Sequence, residues 1–341
     1  MSGSQGDKIF WSPPLSKALE SSRKVQKISF QVGVQENTLP VDKGILAHGT
    51  ELSRKKIRKI LDMGGISVNG QRARTASWKL KFGDQVSVQY SLSSLEIASQ
   101  KKFELSKQDI LFQNKKIIAI NKPPLLPSQE TKSSRQEHAL QVVSKYLQAN
   151  QTENSDLYLC HRLDKETSGI LLLSTCPLKL DWIMSQFKNR SVEKTYIALC
   201  FGKPKQNEWH VSSHLSEINK KTGLVKVVNS GGKKSSTFFK LVKYFPKYNL
   251  SLINCYPKTG RTHQIRVHLE ESKVPIVGDK KYGEKFRHSL PKNFFALCIA
   301  HHFLHAERIL FFPSSNESAV SLKASLPKNF KAILSLLKFK L

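Results

Sequence analysis

Apolar positions recur with two different periods along this chain, and the changes of period divide it. Ile28, Phe30, Val32 and Val34 fall at every second position, which reads as one strand. That strand lies in an N-terminal extension over residues 1–39 and is read as an appendage bearing no site. Within residues 40–91, Ser53 can cap a helix whose apolar positions Ile57, Ile60 and Leu61 follow helical spacing, with Gly64-Gly65 to stop it. Ile66 and Val68, an Asn69-Gly70 turn, and a Gly83-Asp84 turn before Val86 and Val88 then predict short strands. Residues 92–107, with their serine pairs and Lys101-Lys102, read as a linker.

From residue 108 short strands and helices alternate without a repeat. Ile117 to Ile120 predicts a strand, and Ala139, Val142, Val143, Tyr146 and Leu147 an amphipathic helix. Leu157 to Cys160 and Ile170 to Ser174 read as strands flanking a polar loop of nine residues. Leu180, Ile183, Met184 and Phe187 predict a second helix, with all four in the core. The strands are short and unevenly interleaved with helices, which favours an α+β fold over a doubly wound sheet. The main domain is placed at 108–330, with 331–341 as a basic tail.

Charge narrows the function. Fifty-five Lys and Arg against 26 Asp and Glu leave +29 on 341 residues. Such an imbalance points to a polyanionic partner, nucleic acid or an acidic membrane face. The longest apolar runs, such as Ile170–Leu173 and Ile309–Phe312, fall far short of the ~18 residues a span needs. No apolar h-region opens the chain, where Pro13-Pro14 stands instead, and the five cysteines include no CxxC pair. Reduced thiols in a cytoplasmic protein are the simplest reading.

Residues 40–91 carry ten Lys or Arg against four acids. Arg54, Lys55, Lys56, Arg58 and Lys59 crowd the helix, and Arg72 and Arg74 follow on a strand. Taken alone, that run fits a solvated face as well as an RNA contact. Its order is more telling: basic helix, Val68-Asn69-Gly70, basic strand, then Leu80-Lys81-Phe82-Gly83-Asp84. This order resembles the alpha-L RNA-binding domain named after a small-subunit ribosomal protein. Val41-Asp42-Lys43 stands where that domain usually opens with Arg-Leu-Asp.

The candidate chemistry lies in the loop from His161 to Gly169, where seven of nine residues are polar or ionisable between apolar strands. Asp164 sits between Arg162 and Lys165, and these neighbours are expected to keep its carboxylate ionised. Strand alternation puts Lys194 and Tyr196 on one face, where a tyrosine can stack on a base. In Thr259 to Leu269 a strand turns through Gly260 into a helix. There Arg266 could grip a carboxylate bidentately and Ile265 could floor a base pocket. His301, His302 and His305 lack an HExxH pattern or a carboxylate partner, so no metal is expected. Gly231-Gly232-Lys233-Lys234-Ser235 reads as a basic turn and not as a phosphate loop.

Taken together, His161-Arg162-Leu163-Asp164, Thr167-Ser168-Gly169, Lys194-x-Tyr196 and Gly260-Arg261-Thr262-His263-Gln264-Ile265-Arg266 resemble the pseudouridine synthases of the ribosomal large-subunit type. Val277-Gly278-Asp279, Tyr282-Gly283 and Leu304-His305-Ala306 follow in family order, over roughly residues 108–315. Pro124-Leu125-Leu126 after Lys122-Pro123 stands where a Gly-Leu step is common, in a loop carrying no catalytic group. The resemblance implies a mixed, mainly antiparallel central sheet with flanking helices. It implies that Asp164 is catalytic, Arg266 its ion-pair partner and Tyr196 the ring on the target uracil. Arg162 would enter the space left by the flipped nucleotide, and Lys194, Arg261, Ile265 and His161 complete the substrate-binding set, His161 and His263 as loop-ordering groups. No cofactor is implied, because the isomerisation is redox-neutral. The implied partner of this chain, expected as a monomer, is RNA: large-subunit ribosomal RNA or a ribosomal assembly intermediate. A tRNA-directed synthase and a non-catalytic ribosome-binding protein are the alternatives.

Overall fold

The computed structural model describes residues 25–73, 75–91, 103–130, 137–150, 156–219, 222–284, 286 and 301–339. The chain forms two compact units, 1–101 and 102–341.

Among the described residues the first unit is a four-stranded sheet with two helices. Strands β1 (Val25–Gln31), β2 (Ile66–Val68), β3 (Gln71–Arg72) and β4 (Gln85–Ser91) take the order β1-β4-β2-β3. Helices α1 (Val41–Ala47) and α2 (Arg54–Asp62) contribute Val41, Ile45, Ile57, Ile60 and Leu61 to its core. Ser53 caps α2 by accepting the Lys56 N–H. The extension's strand is no appendage. β1 pairs antiparallel with β4 along its whole length, and Phe30 is buried beneath it. The alternation overran this strand, since Val34 lies beyond its end and is 82% exposed.

The second unit is α+β, built on one large mixed sheet. Its strands are β5 (Ile110–Gln113), β6 (Ile117–Lys122), β7 (Tyr158–Leu159), β8 (Ser168–Ser174), β9 (Glu193–Phe201), β10 (Glu208–Leu215), β11 (Val227–Val228), β12 (Lys233–Phe245), β13 (Leu250–Pro257), β14 (Leu304–Phe311) and β15 (Val320–Lys323). The order is β11-β10-β12-β13-β9-β14-β8-β6-β5, with β7 on β8 and β15 on β14. β14 and β8 run parallel, and the other pairs are antiparallel.

Strand β8 is buried throughout, so it reads as an unbroken apolar run. Leu171 and Leu173 meet helix α3 (Ala139–Ala149), whereas Ile170 and Leu172 meet Ile183 of helix α4 (Pro177–Asn189) on the opposite face. In α4 the buried positions are Ile183 and Gln186, while Met184 is 49% exposed and outside the expected core. Helix α5 (Gln264–Glu271) rests Ile265 and Leu269 against Ala198, Phe239, Ile253 and Cys255 of three neighbouring strands.

The C-terminal stretch is a structural element and not a basic tail. Helix α6 (Lys328–Leu336) and Leu337 bury Phe330, Ile333, Leu334 and Leu337 against Ile197, Leu199 and Leu252. Those four positions follow i, i+3, i+4, i+7, and interleaved lysines disguise them. Phe330→Ala is expected to destabilise this unit by about 3–5 kcal/mol, read by denaturant unfolding.

Candidate active site

The loop between β7 and β8 is held by its backbone from several sides. Leu163 N–H donates to Ser128 Oγ at 3.1 Å, and that hydroxyl returns to Leu163 O at 2.8 Å. Thr167 N–H donates to Asp164 O at 3.1 Å and closes the turn on Asp164 itself. The fully buried Lys122 donates Nζ to Pro123 O, Leu126 O and Lys165 O. Burial pushes its pKa down to about 7 against the pull of Asp164. Gly169 follows at φ +108°, where a Cβ would run into the Ala306 backbone, so β8 can enter the sheet beside β14 only with glycine there.

Arg266 on the first turn of α5 joins two acids. Its NH1 donates to Asp164 Oδ2 at 2.8 Å. Its Nε and NH2 grip Asp279 Oδ2 and Oδ1 at 2.7 and 2.9 Å. The bidentate grip therefore falls on Asp279, and Asp164 takes the remaining corner of the fork. Burial raises the Asp164 pKa, but Arg266, His263 and His302 outweigh it and leave the carboxyl below its ordinary value. Asp279, wholly buried, is also held low by Arg266 against the cost of burial. The chain neighbours Arg162 and Lys165 are both exposed and are not among the groups that hold the Asp164 carboxyl low.

The turn before α5 is organised by Gln264. Its Oε1 accepts from Thr259 Oγ1 and Arg261 N–H, and its Nε2 donates to Ser236 O and Thr237 Oγ1. His263 takes a left-handed φ of 55°, shares a 2.9 Å hydrogen bond with Tyr282 OH and stands 3.8 Å from Asp164 Oδ2. Burial pushes its pKa down to about 4, so it is neutral near pH 7.

These elements enclose a cavity of about 100 Å³, the scale of one small ring. Asp164, Lys194, Tyr196, Arg261, Ile265, Arg266 and Arg162 all line it. A larger groove, about 870 Å³ beside Lys323, Leu326, Lys331 and Phe339, gathers none of these groups. His161 does not line the cavity. Its Nε2 accepts Leu172 N–H at 3.1 Å, its ring packs on Phe187, and burial pushes its pKa down to about 3. These contacts hold it within the loop, away from the cavity lining.

Sequence reasoning missed Ser128, Lys122 as a brace, and Asp279 as the carboxylate that orients Arg266. Asp279 was visible only as part of a short motif, with nothing local to mark its partner. Among the described residues no group of three His, Cys, Asp or Glu side chains could hold a metal. His301 bonds Asn329 and His305 bonds Ser168.

Lys194 on β9 faces the cavity, and burial together with Lys258 lowers its pKa to about 8. An RNA phosphate nearby would raise that value, so binding takes up a proton once the free lysine is neutral. Affinity for RNA is therefore expected to fall as pH rises through about 8 and to lose this step in Lys194→Met, measured as Kd between pH 6.5 and 9.5.

In the first unit, Asp42 Oδ2 accepts from Arg54 Nε at 2.9 Å and Arg58 Nε at 2.7 Å. Those two cations are thus partly neutralised, while Lys55 and Lys56 point to solvent beside them. Lys59 and Arg72 are half-buried, and Arg74 lies outside the described residues.

Residues 116–271 match the family model of RNA pseudouridylate synthase, and residues 39–86 match the S4 domain. Over 292 residues the chain is 33% identical to ribosomal large subunit pseudouridine synthase C of Rickettsia felis, covering 82% of this chain and 90% of that protein. The chain belongs to the RNA pseudouridine synthases. The Haemophilus influenzae protein of the same name is 30% identical over 333 residues, covering 94% of this synthase and 97% of its relative. A solved structure, human RNA pseudouridylate synthase domain containing 4, superposes with a TM-score of 0.56 at 25% identity, covering 69% and 94% of the two chains. The synthase is therefore an isomerase with an RNA-binding S4 domain ahead of its catalytic fold. Among its described residues no helix is long and apolar enough to cross a membrane.

Proposed function

We propose that this synthase isomerises uridines of large-subunit ribosomal RNA, with Asp164 as the catalytic carboxylate, Arg266 as its ion-pair partner and Tyr196 as the ring on the target base. The observation that carries the assignment is the 2.8 Å contact of Arg266 NH1 with Asp164 Oδ2 in a cavity that Tyr196 also lines. In the reaction the glycosidic C–N bond breaks, the base turns, carbon 5 bonds to the sugar, and the carbon 5 proton leaves as N1 gains one. Addition of the aspartate to the sugar and removal of its 2′ proton both need an ionised carboxylate held beside a cation. The depressed Asp164 carboxyl meets that need.

The target base must leave its stack, at a cost of a few kcal/mol. Stacking on Tyr196 returns roughly 1–3 kcal/mol, and the exposed Arg162 is free to enter the vacated space. Burial and the Asp164 charge raise the Tyr196 phenol well above its ordinary range, so its hydroxyl stays protonated and able to donate. Lys194, Arg261 and Ile265 complete the substrate contacts. Ribosomal RNA is favoured by the S4 domain and by the names of relatives near 30% identity. The buried free thiols suit work in the cytosol.

The test is incubation with RNA labelled with tritium at uridine carbon 5, in chelator. Release of label without strand cleavage is expected, and cleavage or retained label would contradict the assignment. In the S4 domain, Lys55→Ala with Lys56→Ala should flatten the plot of log affinity against log salt by roughly 1.4–1.8, with turnover at saturating RNA unchanged. Filter binding at several salt concentrations checks it.

A further inference from the structure

Each residue that follows Asp164 is tied from outside the loop, and one side chain ties two of them. Lys122 takes Lys165 O, and His305 Nδ1 shares a 2.9 Å hydrogen bond with Ser168 Oγ. Between them His302 contacts both Glu166 and Thr167. Its Nε2 shares a 2.8 Å hydrogen bond with the Thr167 hydroxyl, and its Nδ1 stands 3.3 Å from Glu166 Oε2. The same Glu166 oxygen accepts the His302 backbone N–H at 3.3 Å.

The His302 side chain is fully buried, and its one ring hydrogen bond is the Thr167 contact, because Nδ1 approaches Glu166 without hydrogen-bond geometry. Its polar atoms are directed at the two loop residues that set the Asp164 turn, because Thr167 N–H donates to Asp164 O. The base on which His302 stands is firm. Phe303 N–H donates to Val277 O and Phe303 O accepts Leu199 N–H, so the residue after His302 is bonded to the segment of Asp279 and to the strand of Tyr196. One imidazole thus connects the Asp164 turn with the elements that hold Arg266's second acid and the stacking ring.

We propose that His302 is a positioning residue for catalysis: through Thr167 and Glu166 it fixes the Asp164 carboxylate relative to Arg266 and Tyr196. This rests on the reading of Asp164 as the catalytic carboxylate. His302 does not line the substrate cavity, so its loss acts on geometry and not on binding. A shift of about 1 Å in a reacting group can cost roughly a hundredfold in rate.

The experiment compares His302→Leu, His302→Gln and Asp164→Asn in the full chain, with kcat, KM and RNA Kd measured on each and folding followed by circular dichroism. His302→Leu removes both contacts and should lower kcat by roughly ten- to a hundredfold, with KM and Kd within about twofold. His302→Gln can still reach the Thr167 hydroxyl with its amide and should recover kcat to within about fivefold. Should His302→Leu fail to fold, Thr167→Val removes the hydroxyl end of the brace at an isosteric side chain that also lines the cavity, and the same kcat loss is expected from it. A folded His302→Leu or Thr167→Val with kcat within threefold of wild type overturns the proposal, and so does a loss confined to KM or a glutamine variant as slow as the leucine one. If Asp164→Asn keeps its turnover, the reading of Asp164 itself fails. An inactive Asp164→Asn beside a normal His302→Leu refutes the positioning role alone.

Discussion

Asp164→Asn is expected to lower pseudouridine formation by at least about a thousandfold while RNA affinity stays within roughly threefold. The amide matches the carboxylate in shape, and its oxygen can still accept from Arg266 NH1. It carries no charge, however, and serves neither as nucleophile nor as base. The fold should tolerate the change for a specific reason. Arg266 is bound at two other atoms by Asp279, so neutralising residue 164 does not leave a buried guanidinium unpaired. Thermal unfolding within a few degrees of wild type, together with the loss of turnover, separates chemistry from stability. Turnover within tenfold of wild type would remove Asp164 from the mechanism.

Arg266→Lys should show the opposite balance, with both rate and stability affected. The guanidinium contacts Asp279 through Nε and NH2 and Asp164 through NH1, in one plane. An ammonium cannot meet both acids in that geometry. The expected loss in kcat is roughly a hundred- to a thousandfold, with RNA Kd changed little. Leaving buried Asp279 without its fork costs about 3–5 kcal/mol on the scale of broken buried pairs. The pH dependence has a definite sign. Asp279 and Asp164 have depressed pKa values in the folded chain, held low chiefly by Arg266 against the opposing effect of burial. Their contribution to stability is therefore full above the ordinary carboxylate range and is lost as pH falls through the depressed values. In the lysine variant those values move up, so acid unfolding should begin at a higher pH, as followed by circular dichroism between pH 2 and 6. A variant that unfolds at the wild-type pH and turns over normally would show that Arg266 positions neither acid.

What the sequence made legible follows from the range of the interactions involved. Helix α2 and its Ser53 cap, strand β8 and the alternation of Lys194 with Tyr196 are local patterns, and each appears where its spacing predicts. The polar loop was conspicuous because it breaks two apolar runs. Its electrostatics were not legible, because the cation on Asp164 comes from Arg266, 102 positions away, and not from its chain neighbours. Asp279 is equally remote in meaning: a short acidic motif does not reveal that it takes the larger share of a guanidinium. Helix α6 was obscured by charge, since Lys328 and Lys331 flank Phe330 and break the apolar run that Phe330, Ile333 and Leu334 pack from. His161 misled in the other direction. It neighbours Asp164 in sequence, but its ring nitrogen is already bonded to Leu172 N–H.

The central claim, that Asp164 converts uridines of large-subunit ribosomal RNA, is tested most directly by mapping pseudouridine in cells lacking the gene. Ribosomal and transfer RNA should be compared after complementation with wild type and with Asp164→Asn. Defined large-subunit sites should lose pseudouridine, regain it with the wild-type chain and stay unmodified with the asparagine variant, while transfer RNA is unchanged. Loss confined to transfer RNA, or restoration by Asp164→Asn, would contradict the account.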